Sequence, residues 1–272
     1  MQLKACIKKD FIELFKTKKW FTLFFASVGC ALLSALIIVI FKVLQSSGVD
    51  VSSFTGGDAE LASLFAMTYS TSFMYFAIYL TTYFTIVMIV FYGGIFSKEI
   101  KEKKWIMPLS CGIKAENLVL SKVIVNFIGL FVTLLTGCLL NFIFSLTLCT
   151  SGGLSVGTLL LYYLMVITFV LFMYVLAICL NAITKNNKIA IVVSIVALIL
   201  LPEILSMISV SNISLVNYTP YLFLNLVMSA GAVGLNTISA VEYIAASVTT
   251  IGIILLLVVL ALSFNKIKKV EK

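Results

Sequence analysis

The chain alternates long apolar stretches with short polar ones. No charged residue occurs from Leu61 to Ser97, nor from Val123 to Thr184. An uncharged apolar run of ~18 or more residues is long enough to cross the hydrocarbon core of a bilayer as a helix. The pattern predicts six such spans, at 20–44, 70–97, 121–147, 158–183, 188–208 and 240–264. The predicted class is therefore all-α: a polytopic membrane protein built as a single transmembrane domain over 1–272. A buried soluble core is excluded, because too few polar faces remain to cover so much apolar surface.

The polar intervals carry their own patterns. In residues 1–19, Leu3, Ile7, Phe11 and Phe15 recur at helical spacing, with Lys4, Lys8, Lys9, Glu13 and Lys16 largely between them. This predicts an amphipathic helix lying in the membrane interface, a reading compatible with its alternative, a partner-binding helix. No small-residue cleavage pattern follows it, so the segment is expected to remain in the mature chain. The stretch "SSGVDVSSFTGGDAE" predicts a loop, and "CTSGGLSVG" a tight turn. Residues 209–238 are apolar but interrupted by Asn217, Pro220, Asn225 and glycines. They predict one or two re-entrant or interfacial helices, which need shielding by protein. The competing reading is a seventh span at 219–235.

Composition supports this class. Of 272 residues, 62% are hydrophobic and 11% charged, against roughly 25% charged in a soluble domain. The net charge is +8, all of its cations being lysine. Every lysine but Lys42 falls in the N-terminal segment, in 98–122, in the 185–188 loop or in the tail 265–272. Six spans put those four segments on one side, which the positive-inside rule makes cytoplasmic. A plasma-membrane protein with both termini in the cytoplasm is expected, and no nucleic-acid partner.

Several chemistries are excluded. The chain has no histidine, so zinc peptidase, Ser-His hydrolase and His-ligated haem sites cannot be built from it. Its six cysteines include no CxxC pair and predict buried or interfacial thiols rather than disulfides or a metal site. No GxxxxGK[ST] phosphate loop occurs. No internal repeat supports an inverted-repeat carrier.

The densest charge lies in "SKEIKEKKWIMPLSCGIKAENLVLSK", Ser97–Lys122. "KEIKEKK" extends the second span as a charged helix, and Pro108 and Gly112 disfavour its continuation. Positive-inside charge accounts for the lysines but not for Trp105, Ile106, Met107, Leu109 and Ile113. Apolar side chains on such a segment predict a docking surface, or a segment lying on the membrane surface. Within the second span, Thr68, Ser72, Tyr75, Tyr79 and Thr82 are spaced 4, 3, 4 and 3 residues apart. This gives one hydroxyl-bearing face, either a path lining or a source of inter-helix hydrogen bonds. Glu203 would lie roughly 22 Å beyond Lys188 along a helix, as an intramembrane acid or one just reaching the outer interface. Ser239 and Glu242 read as a capping box for the sixth span.

The plan resembles the ABC-2 type permeases, the membrane subunits of ABC exporters. There, an amphipathic N-terminal helix precedes the first span, and the charged end of the second leads to a short coupling helix. Ser110, Lys114, Glu116 and Ser121-Lys122 match that family's pattern in outline, with Ser121 where glycine is usual and Lys103-Lys104-Trp105 where Gly-Thr is usual. The resemblance implies a coupling helix around Leu109–Asn117 within the segment 98–120. It also implies two copies of a separate ATPase subunit that bind ATP and Mg, and a second permease subunit, identical or paralogous. No cofactor would reside in this chain, which would be a transport subunit and not itself an enzyme. Cargo is expected to be amphipathic or lipid-like, such as phenol-soluble-modulin-like or bacteriocin peptides. The alternative is a proton-coupled carrier using Glu203. An intramembrane enzyme is disfavoured by the missing histidine and arginine.

Overall fold

The structure, a computed structural model, describes residues 2–16, 18–47, 67–151, 155–210, 213–229 and 240–267. It is helical almost throughout. Helix α1 covers Gln2–Lys16 and α2 Lys18–Ser46. The second span is segmented into α3 (Tyr69–Ile78), a π-helical turn (Tyr79–Phe84), α4 (Thr85–Tyr92) and α5 (Ile95–Lys101). A short α6 (Ile106–Ser110) precedes α7 (Ala115–Leu148). Then come α8 (Val156–Thr184), α9 (Asn187–Met207), α10 (Leu222–Ser229) and α11 (Ala240–Ile267). The only strands among the described residues are a two-residue antiparallel pair, Ser209–Val210 with Ile213–Ser214. Six helical stretches are long and apolar enough to cross a membrane, so this is a multi-pass membrane protein.

The spans are held together by close approach and by buried polar pairs. Span one packs on span three where side chains are small: a Cβ on Gly137 would collide with Ser27 Oγ. Ser27 Oγ donates to Thr133 O at 3.1 Å, and Asn141 Nδ2 donates to Ser34 Oγ at 2.7 Å. Tyr163 of α8 donates to the same asparagine's Oδ1. In hydrocarbon, small residues and paired polar groups are the main sources of helix association. Helix α8 is the most buried span and forms the centre, while α9 and α11 are the most peripheral.

The two ends of the bundle can be told apart by contacts. At one end, Asn181 of α8 accepts from Phe96 N and Ser97 N of α5, and Asn265 of α11 donates to Ala182 O. Lys122 of α7 meets Glu99 of α5 and Asp10 of α1. This end therefore gathers α1, the 98–122 segment, the 185–188 loop and the last turns of α11. At the other end, Thr150 N donates to Met67 O, and Asn217 Nδ2 donates to Glu242 Oε1. The contacts reproduce the grouping of the lysine-rich segments.

Helix α1 packs on the bundle through a row other than Leu3-Ile7-Phe11-Phe15, the row expected to lie in the membrane interface. Cys6, Asp10 and Leu14 are buried, Leu3 and Ile7 half-buried, and Phe11 and Phe15 exposed. Further along the chain, several expectations are corrected. The charged extension of the second span ends at Lys101, and Lys103 turns the chain with φ 57°. Pro108 does not break a helix but lies in the first turn of α6, where its missing N–H has no helical partner to lose. Leu109–Asn117 is not one helix: α6 stops at Ser110, Gly112 turns at φ 80°, and α7 begins at Ala115.

Residues 209–238 are described as far as Ser229. They form the small strand pair, a 3₁₀ turn at Leu215–Tyr218 and the eight-residue α10. Tyr221 is buried between Phe169 and Phe172 of α8 and donates to Ala197 O of α9 at 2.8 Å. Those partners lie near the midpoints of their helices, so this segment reaches the middle of the bundle. Asp50, Asp58, Glu60, Ser239 and the tail beyond Ile267 lie outside the described residues. Glu242 accepts from Asn217.

Candidate functional site

The largest concentration of buried charge among the described residues lies where α1, α5 and α7 meet. Lys122 Nζ is 2.6 Å from Glu99 Oε1, 3.3 Å from Glu13 Oε2 and 3.4 Å from Asp10 Oδ1. Lys122, Glu99 and Asp10 are buried, and Glu13 is about one-third exposed. Three carboxylates around one ammonium leave a local excess of negative charge, which is costly away from water. Neutral donors offset part of that cost: Ser121 Oγ donates to Asp10, and Trp105 Nε1 to Glu99 Oε2 at 3.1 Å. Each fully buried carboxylate thus receives a lysine and a second donor. A satisfied network of this kind fixes geometry, and a partly satisfied one would not persist.

Each participant is delivered by a different local device. Asp10 is on the buried row of α1, whose start is tied down where Gln2 Nε2 donates to Gly112 O and Asn117 Nδ2 donates to Gln2 Oε1. The far end of α1 is followed by Trp20, which donates to Gly129 O. From the Gln2–Asn117 contact to the close approach of Leu14 to Gly129, α1 and α7 each advance twelve residues, so the two helices run side by side. Glu99 is aimed by α5, which restarts after the Gly93-Gly94 break. Its N-cap residue, Gly94, has no side chain to offer, and Asn181 of α8 supplies the acceptor for Phe96 N and Ser97 N instead.

A cavity of about 240 Å³ adjoins the cluster. Trp20, Phe91 and Tyr92 form part of its apolar wall, and the exposed Lys98, Glu102 and Lys104 also line it. Lys104 pairs with Glu102 at 2.7 Å, and that hydrogen bond raises the lysine's pKa.

The residues expected to form a docking surface divide. Trp105 is turned inward, packed edge-on against Phe96 with ring centroids 5.9 Å apart. It is a strut of the charge cluster and not an exposed anchor, because its N–H finds Glu99 six residues back. Ile106 and Met107 are 59% and 76% exposed. Leu109 and Ile113 are half-buried against the core. Lys114 is exposed at the N-cap of α7, and Glu116 stands in its first turn, where a negative charge suits the helix dipole.

The hydroxyl row of the second span is spread over the start of α3, α3 itself and the π-helical turn. Thr68 caps α3, and Ser72 is buried and accepts from Ser145 Oγ at 2.8 Å. Tyr75 is half-buried against Phe41, Tyr79 contacts Tyr83, and Thr82 donates to Ile78 O. The row's last two members, Tyr79 and Thr82, fall in the π-helical turn, where the α-helical spacing no longer holds. Glu203 is exposed on the outer surface of α9.

The sequence pattern singles out Trp105 and matches Ser121-Lys122 to a family pattern. It does not reveal that Asp10, Glu13 and Glu99 converge on Lys122. The available signal is acids in otherwise lysine-rich segments, at positions where solvated charge would be unremarkable. The sequence matches no protein-family model, and none of the curated proteins compared with it is significantly similar.

Proposed function

We propose that this chain is the membrane-spanning permease subunit of an ATP-driven exporter of the ABC-2 type. A separate ATPase, in two copies, would dock on the lysine-rich end, which we take as cytoplasmic at the plasma membrane. A second permease subunit would complete the translocation path for an amphipathic or hydrophobic cargo such as a peptide or lipid-like molecule. The observation that carries the reading is the joint at Lys122. Through it the exposed Ile106-Met107 helix is linked to the second span by Trp105 and Glu99. The same lysine reaches the N-terminal helix by Asp10 and Glu13. A push on α6 is thereby delivered to three elements at once.

The test is co-expression with an ATPase encoded beside this chain, using Ile106→Asp and Met107→Asp. Loss of both co-purification and ATP-dependent transport, with the membrane subunit still folded, is expected. Intact complex formation and transport in the double variant would end the docking proposal.

The second reading is a proton-coupled carrier using Glu203, a carboxylate in the apolar setting of α9. Its exposure puts it against lipid or a second subunit. Glu203→Gln separates the two: unchanged ATP-driven transport leaves the carrier reading without its acid.

A further inference from the structure

A second cavity, of about 350 Å³, lies between the second span and the start of α9 at the lysine-rich end. Its lining includes Lys98, Lys101, Ser97, Asn187, Val90 and Phe91, and no carboxylate among the described residues. Lys98 and Lys101 are three residues apart on α5, so their ammonium groups share a face, and both are exposed. The acids nearest in sequence are committed elsewhere, Glu99 to Lys122 and Glu102 to Lys104.

The shape of this cavity follows from the glycine pair. A Cβ on Gly94 would stand 2.5 Å from Asn187 Oδ1, and one on Gly93 would stand 2.8 Å from Ile191 Cγ1. Their absence lets the start of α9 close against the second span and form the far wall. Asn187 is exposed and lies within the first turn of α9, the positive end of that helix.

Away from the lysines, the same face continues as an apolar track. Val90, Val87 and Tyr83 are 52%, 36% and 63% exposed, and Val90 lines the cavity together with Gly94 and Lys98. One surface thus joins a paired cationic head to an apolar strip about two turns long. That is the profile of a phospholipid: phosphate at the interface and acyl chain along the helix.

We propose that this groove binds an anionic phospholipid, with Lys98 and Lys101 holding its phosphate, Asn187 donating to the headgroup, and one acyl chain lying along Val90, Val87 and Tyr83. Basic pockets between transmembrane helices commonly take such headgroups. The groove needs only that the lysine-rich end meets a membrane surface, whether or not the chain serves an exporter.

The experiment uses the full chain in nanodiscs and in detergent. Binding of phosphatidylglycerol, phosphatidylcholine and inorganic phosphate is measured by native mass spectrometry and thermal shift. The variants are Lys98→Gln/Lys101→Gln and, as an equal loss of charge outside the groove, Lys103→Gln/Lys114→Gln. Phosphatidylglycerol is expected to bind and stabilise the wild type, with phosphatidylcholine and free phosphate much weaker. Loss of the two groove lysines is expected to weaken phosphatidylglycerol on the order of 10- to 30-fold, and the control by less than about threefold. Equal weakening by both variants would mean diffuse charge attraction and overturn the site. Equal binding of the two lipids would overturn anionic selectivity, and phosphate binding as tight as lipid would overturn a lipid occupant.

Discussion

Lys122 and Glu99 come within 2.6 Å of each other across two helices that are separate spans of the chain. Each is buried and each has other partners. Removing one partner of a buried ionic group strands the rest, which typically costs about 3–5 kcal/mol. Lys122→Met is therefore expected to lower stability by roughly 3 kcal/mol or more. Pairing it with Glu99→Gln should restore part of that loss, because one fewer carboxylate is left uncompensated. Thermal unfolding of the two single variants and the double variant in detergent measures this coupling. Strictly additive losses would show that the two residues do not interact.

Trp105 and Met107 differ in which way they face, and their substitutions should differ accordingly. Trp105→Phe keeps a ring against Phe96 but removes the donor to a buried carboxylate, a bond worth about 1.5–3 kcal/mol. Met107→Ala changes an exposed side chain and should stay within about 0.5 kcal/mol. Unfolding midpoints read both. A larger loss for Met107→Ala would place the tryptophan outside the cluster.

Asn181→Ala leaves Phe96 N and Ser97 N without the acceptor that Asn181 Oδ1 provides at 2.8 and 3.2 Å. Unsatisfied buried donors cost about 1–3 kcal/mol. The loss should be local, so hydrogen exchange over α5 is expected to speed up while exchange in α7 is largely retained. Unchanged protection at 95–101 would mean that α5 needs no cap from α8.

Two glycine substitutions should have opposite signs. Gly137→Ala forces a methyl group toward Ser27, whose backbone O would be 3.2 Å away as well as its hydroxyl. Overpacking of this kind costs about 1–3 kcal/mol. Gly252→Ala meets nothing within 4 Å in the middle of α11 and should stabilise by about 0.5–1 kcal/mol. Comparison of the two melting temperatures checks the pair. A stable Gly137→Ala protein would show that spans one and three are not in close contact there.

Much of the architecture is legible in the sequence because the bilayer imposes simple rules on a chain. An apolar run must be helical and of sufficient length, and lysines collect at one end. The six helices and the grouping of the lysine-rich segments follow from those rules, and the contacts at Asn181, Asn265 and Lys122 agree with them. Finer features depend on side-chain direction, which periodicity does not report. Trp105 reads as an exposed apolar group because nothing in the sequence shows its N–H facing Glu99. Pro108 reads as a breaker because its distance from the start of α6 is not written in the pattern. The hydroxyl row runs into the π-helical turn at Tyr79, where one additional residue disturbs a count based on 3.6 residues per turn. The charge cluster is hidden because its acids come from positions 10, 13 and 99, and only tertiary packing brings them to residue 122.

The turn at Tyr79–Phe84 sets a phase for everything beyond it. A π turn holds one residue more than an α-helix of the same rise. Tightening it would advance the following helix by about 1.5 Å and turn it by about 100°. Glu99 would then swing away from Lys122, unless the Gly93-Gly94 break took up the rotation as a swivel. The second span is in effect a screw with one thread in reserve. The lysine at the head of the third span is the pin that keeps it from turning.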